Sequence, residues 1–127
     1  NSIQVEIWGS GKPFREFLWS EEMSEACVFL MNNVNFEDLI DKNSSELRNT
    51  HINIGSGEEI SVKSLAFLIK EKLSFKGNLF FNIDKPDGSM RKLTDVSKLN
   101  KLGWKHNIGL NNGIVKLYDW YNLNLMK

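Results

Sequence analysis

Ile3-Gln4-Val5-Glu6-Ile7-Trp8-Gly9-Ser10-Gly11-Lys12-Pro13-Phe14-Arg15-Glu16-Phe17-Leu18 is the stretch on which the reading of this chain turns. Apolar and polar residues alternate from Ile3 to Ile7, which predicts a half-buried strand. Turn formers from Gly9 to Pro13 then end it. Phe14 to Trp19 predicts a second short strand. Ser20 offers a helix N-cap, and Glu21 and Glu22 put negative charge at the positive end of the helix dipole. The helix that follows places Met23, Ala26, Cys27 and Leu30 on one apolar stripe, so Cys27 reads as an inert core thiol.

Further along, the pattern stays mixed. Asn32 to Thr50 is polar and interrupted, an irregular connection with one helical turn at most. His51 to Ile54 predicts a strand that stops at Gly55-Ser56-Gly57 and holds His51 packed. Ser61 caps a helix with Leu65, Leu68, Ile69 and Leu73 on one side. Leu79 to Ile83 is another strand, followed by the loop Lys85-Pro86-Asp87-Gly88. Asp95 is expected to cap a short helix that Gly103 ends, and a last helix starts near Leu110 with Ile114, Leu117, Tyr118 and Tyr121 on its apolar face. Short strands interspersed with helices predict a small α+β domain. Four Trp and eight Phe offer more aromatic surface than such strands cover, so part of it is expected to face a neighbour.

Composition narrows the function. The 127 residues are 41% hydrophobic and 25% charged, ordinary for one globular domain or a piece of a larger protein. Sixteen basic and sixteen acidic residues cancel, so no global positive field is present to hold nucleic acid. No apolar run approaches the ~20 residues that span a bilayer, no signal peptide opens the chain, and a cytoplasmic setting is expected. A lone cysteine makes no internal disulfide or Cys-based zinc site. Only three residues are Arg, namely Arg15, Arg48 and Arg91, and the planar guanidinium suits phosphate and carboxylate.

Two readings stand side by side for each candidate segment. Gly9-Ser10-Gly11 and Gly55-Ser56-Gly57 lack the third glycine of a dinucleotide fingerprint, so each reads first as a strand-ending turn. Asp87-Gly88-Ser89-Met90-Arg91-Lys92 is either a solvated turn or a display of two cations for a diphosphate. Trp8 with Arg15 is either a rim pair or a stacking wall beside a phosphate clamp.

Taken in order, Trp8-Gly9-Ser10-Gly11-Lys12-Pro13-Phe14-Arg15-Glu16-Phe17-Leu18, His51-Ile52-Asn53-Ile54-Gly55-Ser56-Gly57, Lys85-Pro86-Asp87-Gly88-Ser89-Met90-Arg91-Lys92-Leu93-Thr94-Asp95 and Leu102-Gly103-Trp104 resemble the C-terminal part of the GDP-L-fucose synthases. That family belongs to the extended short-chain dehydrogenase/reductases. The resemblance implies that residues 1–127 form a C-terminal GDP-sugar-binding domain. It implies GDP-sugar contacts at Trp8, Arg15, Asp87 and Lys92, with Arg91 as an adjacent candidate. It also implies an NADP-binding N-terminal Rossmann domain that carries the catalytic Tyr-x-x-x-Lys, and a homodimeric parent enzyme. No catalytic or cofactor-binding residue is expected within this chain, which alone should be inactive. The parent reaction would be epimerisation of GDP-4-keto-6-deoxy-mannose at C3 and C5, then NADPH reduction at C4.

The sequence departs from the family in two places. Trp19-Ser20-Glu21-Glu22 stands where a His, a hydrophobic residue and two acids are usual, and Met90 replaces a usual Pro. A reductase of another GDP-4-keto sugar, such as a 6-deoxy-heptose, fits these departures. A non-catalytic nucleotide-sugar-binding module is the remaining alternative.

Overall fold

A computed structural model describes residues 4–40 and 46–125. Its elements run β1 (Gln4–Trp8), β2 (Phe14–Glu16), α1 (Ser20–Asn33), a 3-10 turn (Phe36–Asp38), β3 (Glu59–Ser61), α2 (Val62–Lys72), β4 (Asn78–Asn82), α3 (Ser97–Lys101) and α4 (Leu110–Leu125). The strands form two small sheets. β1 pairs in parallel with β4, Trp8 opposite Asn82, and β2 pairs antiparallel with β3, Arg15 opposite Ile60. The architecture is α+β, as the alternation of strand and helix signals predicts.

Five local expectations need correction. The second strand stops at Glu16, because Phe17 to Trp19 leave the ladder before α1 begins. Ser20 lies inside α1; Trp19 takes the cap position, and its carbonyl accepts from the amide of Met23 (3.1 Å). The buried face of α1 is Glu22 and Ala26, with Phe29 and Leu30 packed beside them, whereas Met23 and Cys27 are exposed. The stripe turns because Glu22 is buried: its Oε1 accepts the amides of Asn107 (2.5 Å) and Ile108 (2.9 Å). A charged residue drops out of a hydrophobic-periodicity count, so this face is hidden from the pattern.

His51 to Ile54 is not a strand, and His51 is exposed. Ile52 and Ile54 do pack on the core, while Asn53 Nδ2 donates to the Asp95 carbonyl (3.1 Å). Period-two burial is present without a backbone ladder, and the strand partner of β2 is the later Glu59–Ser61. Asp95 sits one residue ahead of the cap position, yet its Oδ1 accepts the Ser97 amide (2.9 Å). That bond holds the Asp95 carboxyl below its ordinary pKa, through the backbone amide first and the Ser97 hydroxyl second. Gly103 (φ +104) terminates α3 as expected, and the Ser61 hydroxyl caps α2 by accepting from Ser64 N (3.0 Å). The connection from Asn32 to Thr50 contains the one 3-10 turn anticipated, with Asn35 and Asp38 closing a capping box; its residues 41–45 lie outside the described residues.

Ala26, Leu99 and Trp104 form the fully buried core, ringed by Leu18, Phe29, Leu30, Ile52 and Ile54. Among the described residues that is a small core, and much apolar surface stays open. An apolar groove of about 540 Å3 lies between β1–β4 and α2, lined by Val5, Ile7, Leu65, Ile69 and Leu79 and closed at one side by Tyr118 of α4. Parallel strands are normally covered on both faces, so the uncovered apolar area matches the excess of aromatic residues.

Each Gly-Ser-Gly turn is closed by a carboxylate from elsewhere in the chain. Glu16 of β2 reaches the second turn, where its Oε1 accepts from Gly57 N (2.7 Å) and the Ser56 hydroxyl (3.3 Å); its Oε2 accepts from Thr94 N (2.9 Å). Burial pushes the Glu16 pKa up, and the Thr94, Gly57 and Ser56 bonds together overcome this and hold it below the usual glutamate value. A group whose folded pKa is lowered adds stability above its unfolded pKa and loses it as pH falls through the folded value. Glu16→Gln should therefore lower stability at neutral pH and flatten the acid limb, as pH falls through and below the ordinary glutamate range, in urea midpoints measured across pH. Gly11 sits at φ +74, and a Cβ there would come within 2.7 Å of the Phe81 ring. Gly11→Ala should cost about 1–3 kcal/mol in the same measurement, from the left-handed backbone together with the forced shift of Phe81.

Candidate functional site

The Lys85–Asp95 segment is the hub of the candidate site. Asp87 staples it to the first Gly-Ser-Gly turn: Ser10 N donates to Oδ1 (2.8 Å) and the Ser10 hydroxyl to Oδ2 (2.6 Å). Those two bonds, the hydroxyl first and the amide second, hold the Asp87 carboxyl below its ordinary pKa. Gly9 (φ +87) presses directly on Asp87, leaving no room for a side chain there. Farther along, the Met90 carbonyl accepts from Phe14 N (2.8 Å), and Arg91 Nε pairs with Glu59 Oε2 (2.9 Å). With the Glu16–Thr94 bond, this segment is tied to β2, β3 and both glycine turns.

The sequence-selected residues fall around that hub. Trp8, at the end of β1, is 69% exposed, and the Lys85 ammonium lies 5.3 Å from its ring centroid. Arg15 donates through Nη1 to the carbonyls of Phe14 (2.6 Å) and Ser89 (2.8 Å), and its Nη2 faces Gly88. Two carbonyls orient one end of the guanidinium and leave donors over. Asp87 joins the turn beside Trp8 to the loop beside Arg15. Lys92 is exposed two residues before Thr94. Arg91 is engaged with Glu59, and Arg15 lines the adjoining cleft together with Glu58 and Glu59.

That cleft holds about 290 Å3, the size of one moiety of a ligand rather than a whole dinucleotide. Arg15, Phe17 and Glu58 line one wall; His106, Asn111 and the start of α4 line the other. Sequence reading found Arg15 but missed His106 and Asn111, because only the fold brings the α3–α4 connection opposite β2. It also missed Lys85, Glu16 and Glu22, whose partners lie far away in sequence.

Neither glycine turn fits a dinucleotide. Asp87 takes the Ser10 amide and hydroxyl of the first turn, and Glu16 takes the Gly57 amide and Ser56 hydroxyl of the second, so each turn already holds a carboxylate where a diphosphate would sit. Phe81 and Lys63 press on Gly11 in addition.

No family model matches the chain. Curated relatives do. A putative GDP-L-fucose synthase 2 of Arabidopsis thaliana is 44% identical over 128 residues, spanning 100% of this chain and 35% of its own length. The GDP-L-fucose synthase of Escherichia coli K12 is 38% identical over 121 residues, 95% of this chain and 37% of its own length. Among solved structures, a GDP-6-OMe-4-keto-L-xylo-heptose reductase from C. jejuni superposes with a TM-score of 0.86 at 45% identity, covering 94% of this chain and 34% of that one. A GDP-mannoheptose C4 reductase from Campylobacter jejuni with NADP bound gives 0.79 at 44% identity, with 94% and 35% covered. The chain thus spans about a third of the length of the relatives it matches. Sequence and fold together place it among the GDP-L-fucose synthases and their GDP-sugar reductase relatives, extended short-chain dehydrogenase/reductases whose C-terminal part it matches.

Proposed function

We propose that residues 1–127 are the substrate-gripping domain of an NADP-dependent enzyme that epimerises and reduces a GDP-4-keto sugar. The observation that supports it most directly is the gathering of Trp8, Arg15 and Asp87 around one stapled loop. In this reading the spare guanidinium donors of Arg15 take the diphosphate and Lys92 adds a point charge to it. Trp8 supplies a flat apolar wall for stacking. Asp87 holds the turn under Trp8, and each of its oxygens keeps a lone pair for a donor on the ribose or base. Arg91 serves by pairing Glu59.

NADPH supplies hydride for C4 when bound, and in this proposal it is held by a Rossmann domain outside these residues. The chain's own contribution is orientation: binding energy at the nucleotide end fixes the keto carbon in place for attack. The complete enzyme is taken to be a cytoplasmic homodimer.

Two sugars compete for the role. GDP-4-keto-6-deoxy-mannose, leading to GDP-L-fucose, follows from the curated relatives. A GDP-4-keto-heptose follows from structural relatives named as heptose enzymes at 44–45% identity, and from Trp19 in place of the usual His. NADPH oxidation by the complete protein, with each GDP-4-keto sugar in turn, separates them: the true substrate should give the higher kcat/KM. No turnover of either sugar would remove the proposal.

Two further outcomes are expected. Residues 1–127 alone should oxidise no NADPH with either sugar; turnover at the complete protein's rate would overturn the division of labour. Arg15→Ala in the complete protein should raise the KM for the GDP-sugar by about tenfold or more, the loss of a charge-assisted contact. Unchanged steady-state kinetics would remove Arg15 from the site.

A further inference from the structure

Glu22 lies in the first turn of α1, yet it is only 4% exposed. Carboxylates are seldom buried so fully without a specific task. Its Oε1 accepts two successive backbone amides, Asn107 (2.5 Å) and Ile108 (2.9 Å). Those amides belong to the connection between α3 and α4. The residues on either side of them, His106 and then Ile108 to Asn111, form one wall of the cleft that Arg15 faces. The connection has few other anchors in the same register. Gly109 accepts from Asn112 and Gly113, but those bonds lie within the start of α4. Lys116 of α4 approaches the half-buried Trp19 and the exposed Glu21 next door, at 5.0 Å from the Trp19 ring centroid and 3.9 Å from Glu21 Oε2.

We infer that Glu22 is a positioning residue for ligand binding: its carboxylate fixes the His106–Asn111 wall at the distance from Arg15 that a GDP-sugar moiety fills. The inference rests on the proposed function above. The geometry of substitution sharpens it. Alanine removes the acceptor of the part-buried amide bonds of Asn107 and Ile108. Glutamine keeps an acceptor at Oε1 but places an NH2 group where Glu22 Oε2 now lies buried with no hydrogen-bond partner. Both changes loosen the wall, glutamine less than alanine. Neither touches Trp8, Arg15 or the loop from Lys85 to Asp95.

The test uses the complete protein, GDP as the probe, and Glu22→Ala, Glu22→Gln and Leu99→Val. Leu99 is fully buried in the same core but does not line the cleft, so its variant reports on stability alone. The expected result is a dissociation constant for GDP raised on the order of tenfold in Glu22→Ala and less in Glu22→Gln. Amide exchange at Asn107 and Ile108 should quicken in both. Leu99→Val should lower the melting temperature and leave GDP affinity unchanged. Equal affinity in wild type and both Glu22 variants overturns the inference and leaves the proposed function standing. So does a loss of affinity in Leu99→Val that matches its loss of stability, since the effect at Glu22 would then be general. A wild-type protein that binds no GDP overturns both.

Discussion

Carboxylates closing backbone turns hold this domain in shape. Glu16 closes the Gly55–Gly57 turn, Asp87 closes the Gly9–Gly11 turn, and Glu22 gathers the amides before α4. In each case an acid from a distant part of the chain satisfies N–H groups that would otherwise need water. A charged acceptor makes a stronger and shorter bond to an amide than a neutral one. In a domain whose fully buried core is Ala26, Leu99 and Trp104, such bonds take over part of the ordering that packing provides in larger folds. They also explain why turns that look like nucleotide cradles are not: the negative charge they attract is already built into the chain.

The same device organises the site. Trp8 follows a strand, Arg15 lies in another, and the loop from Lys85 onward comes much later; nothing in local geometry brings them together. Asp87 on Ser10, Ser89 on Arg15 and Thr94 on Glu16 do so. A loop tied at several points along its length loses much of its freedom before a ligand arrives. Less ordering entropy then opposes binding. Arg91 fits this account as well, since its bond to Glu59 belongs to the same series.

Much of the architecture was legible in sequence, and the failures share a cause. The strand before Trp8, the Ser61 cap and the Gly103 stop express rules that act within a few residues, and the structure keeps them, although of β1 only Ile7 is half-buried and Val5 stays exposed. His51 to Ile54 obeys the burial rule but forms no ladder, because alternation reports which side chains face inward and not what the backbone pairs with. Ala26 and Leu30 of the α1 stripe do face the core, and Met23 and Cys27 do not, for a related reason. Its inward face begins with an acid, and hydropathy counts an acid as outward. Arg15 was legible as a scarce side chain with specific chemistry. His106 and Asn111 were not, since their relevance exists only once α4 starts opposite β2.

The open apolar groove beside β1 and β4 follows from the same division between local and distant rules. Strand and helix signals are local, so they produce β1, β4 and α2 whatever lies beyond. Burial is not local: a parallel pair needs cover on both faces, and α2 with α4 gives it in part. The polar edge, by contrast, is complete within these residues, because each staple has both of its ends here. A domain whose apolar side is open and whose polar side is internally tied can present the same binding edge while its other face is covered by different neighbours. The geometry of that edge is determined by hydrogen bonds the chain makes to itself.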